Sequence, residues 1–176
     1  MASVFTFKSW SFDSQCGQLD LNYHDSKYGD FCEQFLFPEF EGKVLTSQYK
    51  KRQHVINRAI DQLFWMVGVS YYKTQLANEF QFEGQLPSKD QSDWLNQTWQ
   101  SGLAELAHQN ELGWLSQIGF PHDSNKEAES VVSQNLKPRS MVASGGGKDS
   151  IVSIEFLKQQ SEDICLFMVG NSEFIQ

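Results

Sequence analysis

Ser144-Gly145-Gly146-Gly147-Lys148-Asp149-Ser150 is the segment whose residue types and spacing can do chemistry. Three consecutive glycines let a backbone turn sharply and approach a ligand closely. A helix starting just after them presents unpaired N–H groups and the positive end of its dipole. Together these features form an anion cradle, most often for phosphate. Ser144 and Ser150 offer hydroxyl donors, and Lys148 offers a neutralising charge. Asp149 repels a bare phosphate but can ligate a Mg²⁺ that bridges to one. Two common nucleotide motifs fail here. A Walker loop needs Gly-Lys-Ser/Thr, whereas Lys148 is followed by Asp149. In a dinucleotide fingerprint begun at Gly145-x-Gly147, Ser150 takes the third small position. The acidic residue required after a second strand is then missing.

The elements around this segment are legible from periodicity. Met141-Val142-Ala143 reads as a short buried strand, and residues 149 to 160 as a helix with Ile151, Ile154 and Leu157 spaced by three. The run from Ile164 to Val169 is continuously apolar, as in a parallel sheet covered on both faces. Strand, helix and strand fit one βαβ unit. Upstream, Phe5 and Phe7 share a face, as do Leu19, Leu21 and Tyr23. The turn residues Asp13 to Gly17 between them predict a hairpin. Phe31, Phe35 and Phe37 predict a third strand, stopped by Pro38. Ile56, Ala59, Ile60, Leu63 and Val67 then recur at helical spacing, which predicts an amphipathic helix over 51–67, ended at Gly68. A second helix is expected over 92–110, with Leu95, Trp99, Leu103 and Leu106 on one face and Asp90 or Ser92 as cap. Residues 121–137 are polar and read as a linker or surface loop. The expected organisation is a β-rich then helical region over 1–120, that linker, and the first βαβ of a nucleotide-binding sheet over 138–176.

Composition excludes several functions. Of 176 residues, 14 are Lys or Arg and 22 are Asp or Glu, for a net charge of −8. Such a surface is unsuited to general nucleic-acid binding. The 14% aromatic content is assigned to core faces rather than base stacking. Cys16, Cys32 and Cys165 form no CxxC pair, so they are read as reduced thiols, not zinc ligands. The first residues lack a signal peptide's basic head and apolar run, and no apolar stretch approaches the ~20 residues that span a bilayer. The expected location is the cytoplasm, with no membrane partner. His24, His54, His108 and His122 show no ligand spacing. His122 beside Asp123 is a weak candidate base, and Glu127 and Glu129 read as a solvated face.

Ser-Gly-Gly-x-Asp-Ser, here with an extra glycine, resembles the PP-loop of the ATP pyrophosphatase superfamily. Three further stretches narrow the likeness: Phe5-Thr6-Phe7-Lys8-Ser9-Trp10-Ser11-Phe12, the strand ending Asp20-Leu21-Asn22-Tyr23, and Gly68-Val69-Ser70-Tyr71-Tyr72-Lys73. With the loop, they resemble the bacterial UDP-N-acetylmuramoyl-L-alanyl-L-glutamate epimerase family. That resemblance implies an α/β fold, an α+β N-terminal region leading into a parallel PP-loop sheet. It also implies ATP and Mg²⁺ as cofactors and a nucleotide-linked muramoyl dipeptide as substrate, with AMP and diphosphate as products. Ser144, Gly145, Gly146, Gly147, Lys148, Asp149 and Ser150 become the ATP-binding residues, with Asp149 toward the metal.

The same resemblance makes Lys73 and Tyr72 catalytic candidates, Lys73 for an anionic group and a tyrosine for positioning or proton transfer. The alternative is a packed tyrosine pair and a lysine at a helix C-terminus, a favourable place for a cation. Arg139, just before the strand, is either a phosphate contact or a surface residue. Two parallel strands and one helix are too few for a complete sheet of this kind. The chain is therefore expected to be an N-terminal fragment of a longer enzyme, a truncated form of one, or a decayed gene product. Rival readings are another PP-loop adenylating enzyme, tRNA-modifying or amide-forming, and a non-catalytic ATP-binding remnant.

Overall fold

The computed structural model describes residues 3–37, 42–126, 138–160 and 163–168. The chain divides into two compact units, Met1–Glu129 and Ser130–Gln176.

In the first unit, β1 (Val4–Asp13) and β2 (Gln18–Asp25) form the expected hairpin, and β3 (Gly29–Leu36) continues it antiparallel. Asp13 closes the first turn: its carboxylate accepts from Gln15 N and its carbonyl from Gly17 N. Gly17 sits at φ 77, a conformation glycine adopts without strain. β3 ends at Leu36, and Pro38 lies outside the described residues. A fourth strand, β4 (Glu79–Phe82), pairs parallel to β1 and gives a mixed sheet of order β3-β2-β1-β4. It has only four residues, but its Phe80 and Phe82 alternate with polar residues as a half-buried strand requires.

β1 carries a bulge. Its register against β2 slips between Phe7 and Ser9, so Phe7 faces Tyr23 while Trp10 faces Leu21 and Phe12 faces Leu19. The extra residue, Lys8, shifts the side-chain phase by one. Phe5, Phe7, Trp10 and Phe12 therefore all stand on the side occupied by Leu19, Leu21 and Tyr23.

That side is covered by α1 (Gly42–Val67). The helix starts earlier than its apolar period suggests, because a leading segment joins it across a kink at Arg52 (φ −125, ψ 18). Ile60, Phe64 and Trp65 are buried against the sheet. Of the expected stripe only Ile60 is buried; Ile56, Leu63 and Val67 are half-buried at its edge and Ala59 is exposed, because the bulky Phe64 and Trp65 turn the helix toward the aromatic core. α2 (Val69–Tyr72) follows after Gly68 alone. The second expected helix is broken in two, α3 (Lys89–Gly102) and α4 (Ala104–Gln109), at Leu103 just after Gly102. Its cap is neither Asp90 nor Ser92. Ser88 accepts from Gln91 N while the Gln91 side chain accepts from Ser88 N, a reciprocal capping box. Ser92 is buried instead and donates to Phe120 O at 2.6 Å.

The core is strongly aromatic. Phe7 stacks on Phe82 at 4.7 Å and meets Phe64 edge-on at 5.6 Å, while Phe80, Trp99 and Phe120 close the cluster. The aromatic residues of the alternating strands thus serve packing. Residues 121–126, expected to begin the linker, belong to this unit and form a turn held to it: Asp123 N donates to Pro87 O, and Asn125 N donates to the Asp123 carboxylate. The remainder of the expected linker, 127–137, with Glu127 and Glu129, lies outside the described residues.

In the second unit, β5 (Ser140–Ala143) and β6 (Ile164–Phe167) pair in parallel, Ser140 opposite Ile164, with α5 (Lys148–Gln159) between them. This is the expected βαβ order but not the expected burial. Of the described strand residues only Val142 is buried, while Met141, Leu166 and Phe167 are exposed, so the apolar runs are not covered on both faces within this unit. Val169 lies outside the described residues. Taken element by element, the fold is mixed α/β. Among the described residues, no helix is long and apolar enough to cross a membrane.

Candidate functional site

The glycine loop leads from the end of β5 into α5. Gly147 is the helix N-cap, in an extended conformation, and no side chain caps the first turn. The first N–H groups of α5 are therefore directed into the space before the helix. Gly146 sits at φ 75, where a branched residue would be strained. Gly145 and Gly147 have no such backbone requirement, and a Cβ on either would meet no atom within 4 Å. Backbone conformation thus calls for glycine at Gly146, and the two other glycines keep a bare backbone beside open space. Ser150 Oγ accepts from Gly145 N at 3.3 Å, folding the loop back on the first turn. Ser144 N donates to Phe167 O, which ties the loop to β6. Lys148 and Asp149 are exposed at the helix start. The described residues hold no group of three carboxylate, imidazole or thiol side chains able to enclose a metal. Asp149 offers a single carboxylate, which suits a Mg²⁺ held jointly with phosphate oxygens.

Arg139 is not part of this loop. It precedes β5, at the strand end opposite the glycines, and its Nε donates to Asp163 at 2.8 Å. The exposed pair links the starts of the two parallel strands, which fits the surface reading of Arg139.

The Gly68–Lys73 segment is a helical turn rather than a loop. Gly68 lies directly over the sheet: a Cβ there would stand 2.7 Å from Phe7 Cε1 and 3.2 Å from Tyr23 Cε1. Tyr71 stacks between Tyr23 and Phe31 and donates to the Glu33 carboxylate. Partial burial and that carboxylate push its phenol up to about 12. Tyr72 is fully buried, donates to Ala77 O at 2.9 Å, and is pushed still higher by burial. A phenol so committed remains protonated and fills the core. Lys73 is exposed at the C-terminal end of the turn. The turn thus presents Lys73 outward and anchors itself through the two tyrosines. Asp123, next to His122, accepts from Asn125 N and shapes the local turn.

A second concavity lies within the first unit and was not legible as a site. It is a cavity of about 390 Å³ where β4 parts from β1 at the bulge. His54, Arg58, Asp61 and Trp65 line it from successive turns of α1, and Trp10 and Phe82 from the sheet. Trp10 Nε1 donates to Asp61 at 2.8 Å. One sequence signal announces it: the aromatic alternation Phe5, Phe7 resumes at Trp10, Phe12 after a step of three.

Comparison with known proteins bears on all of this. The chain matches the MurL N-terminal domain family over residues 1–176. It is 26% identical over 178 residues to the UDP-N-acetyl-alpha-D-muramoyl-L-alanyl-L-glutamate epimerase of Xanthomonas oryzae pv. oryzae, covering 99% of this chain and 38% of that protein. It is 30% identical over 175 residues to the protein of the same name from Salinispora tropica, covering 98% of this chain and 37% of that one. The chain therefore spans less than two-fifths of the length of these curated relatives. No solved structure gives a significant match. With its whole length matched, the chain belongs to the MurL N-terminal domain family.

Proposed function

We propose that this chain is the N-terminal part of an ATP-dependent epimerase that inverts the terminal L-glutamate of UDP-N-acetylmuramoyl-L-alanyl-L-glutamate, in peptidoglycan precursor synthesis. The names of the relatives support the substrate. The observation that carries the ATP reading is the uncapped start of α5 behind three glycines, two of which nothing in the packing requires. In this reading Gly145 to Gly147 and the first N–H groups of α5 receive phosphate oxygens, Ser144 and Ser150 donate to them, Lys148 balances charge, and Asp149 faces Mg²⁺.

The chemistry has a clear physical need for ATP. A carboxylate resists loss of its α-proton, because a second negative charge would build beside the first. Attack of the carboxylate oxygen on the α-phosphorus of bound ATP would release diphosphate and convert the carboxylate to an electron-withdrawing mixed anhydride, an acyl-adenylate. A base would then remove the α-proton, and a proton would return on the opposite face. Water would cleave the anhydride and release AMP with the inverted carboxylate. Lys73, exposed on an anchored turn, is assigned to an anionic group of the substrate. Tyr72 holds that turn from the core and is a positioning residue.

In a protein that carries this chain ahead of the additional length seen in the relatives, the muramoyl dipeptide nucleotide should elicit AMP and diphosphate. ADP and phosphate as the sole products would rule the reading out.

A further inference from the structure

The cavity at the β1 bulge has the chemistry of a nucleotide site, although no phosphate-binding motif marks it. Lys8 is the inserted residue of the bulge, and β4 stops pairing at Phe82, beside it. The parting strands expose a hollow whose volume, about 390 Å³, lies in the range of small-molecule sites. Its walls are unlike the rest of this acidic chain. Trp10 and Phe82, both half-buried, give flat apolar surfaces against which a planar ring can stack. The bond from Trp10 Nε1 to Asp61 fixes the indole plane. Arg58 and His54 lie one turn apart on α1 and supply a guanidinium and a ring N–H at the same hollow. Both, like Asp61, already engage other groups, so a ligand would share or replace those contacts. Asn57 and Gln85 add amides able to both donate to and accept from a base edge.

We propose that this cavity binds the pyrimidine nucleoside diphosphate end of the substrate. The base lies between Trp10 and Phe82, and the diphosphate meets Arg58 and His54. The flat aromatic walls decide against the dipeptide end, which offers carboxylates but no ring. This inference rests on the proposed substrate, whereas the glycine loop concerns only ATP.

The test is UDP binding to the 176-residue chain carrying Gly146→Val, so that the loop does not compete. Calorimetry and indole fluorescence provide the readouts. UDP should bind and quench emission, and inorganic diphosphate should bind at least about tenfold more weakly, because it leaves the rings uncovered. Arg58→Ala should cost at least about tenfold in UDP affinity, the scale of a charge-assisted contact. Gln85→Trp, at an exposed wall position, should block the cavity without touching the core, so binding loss in a variant with unchanged thermal unfolding reports the site itself. Absence of UDP binding, equal affinity for diphosphate, or affinity unchanged by both substitutions would overturn the proposal. If UDP fails while the unsubstituted chain still binds MgATP, the cavity assignment falls and the ATP reading stands. If UDP binds here but MgATP does not bind the loop, the reverse holds.

Discussion

Replacing Gly68 by alanine should destabilise the first unit, although alanine is ordinarily the better helical residue. Gly68 joins α1 to α2 with helical angles (φ −52, ψ −25), so its backbone alone does not call for glycine. On propensity, Gly68→Ala gains about 0.5–1 kcal/mol. The new methyl would stand 2.7 Å from Phe7 Cε1 and 3.3 Å from Phe7 Cζ. The Phe7 ring has nowhere to go: it is fully buried, with Phe82 stacked at 4.7 Å and Phe64, Phe120 and Tyr23 within 6 Å. Overpacking of this kind costs about 1–3 kcal/mol. The net expectation is a loss of about 1–2 kcal/mol, or a Tm lower by roughly 4–8 °C for a unit of this size. Urea unfolding followed by indole fluorescence measures it. Gly102→Ala is the matched control, since a Cβ there meets nothing within 4 Å; it should be neutral or mildly stabilising. Equal effects of the two substitutions would refute the close-approach argument.

Ser88→Ala removes the acceptor of the capping box and should cost about 1 kcal/mol in the same assay, whereas Asp90→Ala should cost much less. Tyr23, Tyr71 and Tyr72 all have phenols raised above the ordinary 10.0. The unfolded chain gives up these protons near pH 10 while the folded chain keeps them. Stability should therefore be intact below pH 10 and fall as pH rises beyond it, by at most about 1.4 kcal/mol per pH unit for each group; alkaline titration of the unfolding midpoint checks the sign. Lys73→Ala, in a protein carrying this chain ahead of the relatives' additional length, should impair substrate-dependent AMP release while shifting stability by no more than about 1 kcal/mol. Unchanged turnover would make Lys73 only a helix-end charge.

Local periodicity carries the β1–β2 hairpin, the apolar stripe of α1 and the βαβ around the glycine loop. Each depends on neighbours a few residues away. The remaining features depend on distant partners. β4 is four residues long, and pairing with β1, some 75 residues earlier, makes it a strand. The split between α3 and α4 turns on Gly102 and a packed Leu103, which helical spacing passes through without a break. Ser88 lies one residue before the helix, so attention to the acidic first turn missed its exchange with Gln91. The tyrosine pair shows the same limit within a site. The sequence placed Tyr72 and Lys73 together as chemistry, and the fold turns one into the core and the other to solvent. The bulge cavity is the extreme case, since its walls come from three segments that only the fold brings together.

The most direct test of the central claim is calorimetry of MgATP with this chain, wild type against Gly146→Val. Gly146 holds a positive φ just before an uncapped helix, so valine strains the loop that leads into the first N–H groups. The account predicts that MgATP binds the wild-type chain and that the substitution abolishes binding with the thermal unfolding of the first unit unchanged. Equal affinity in the two proteins would contradict it.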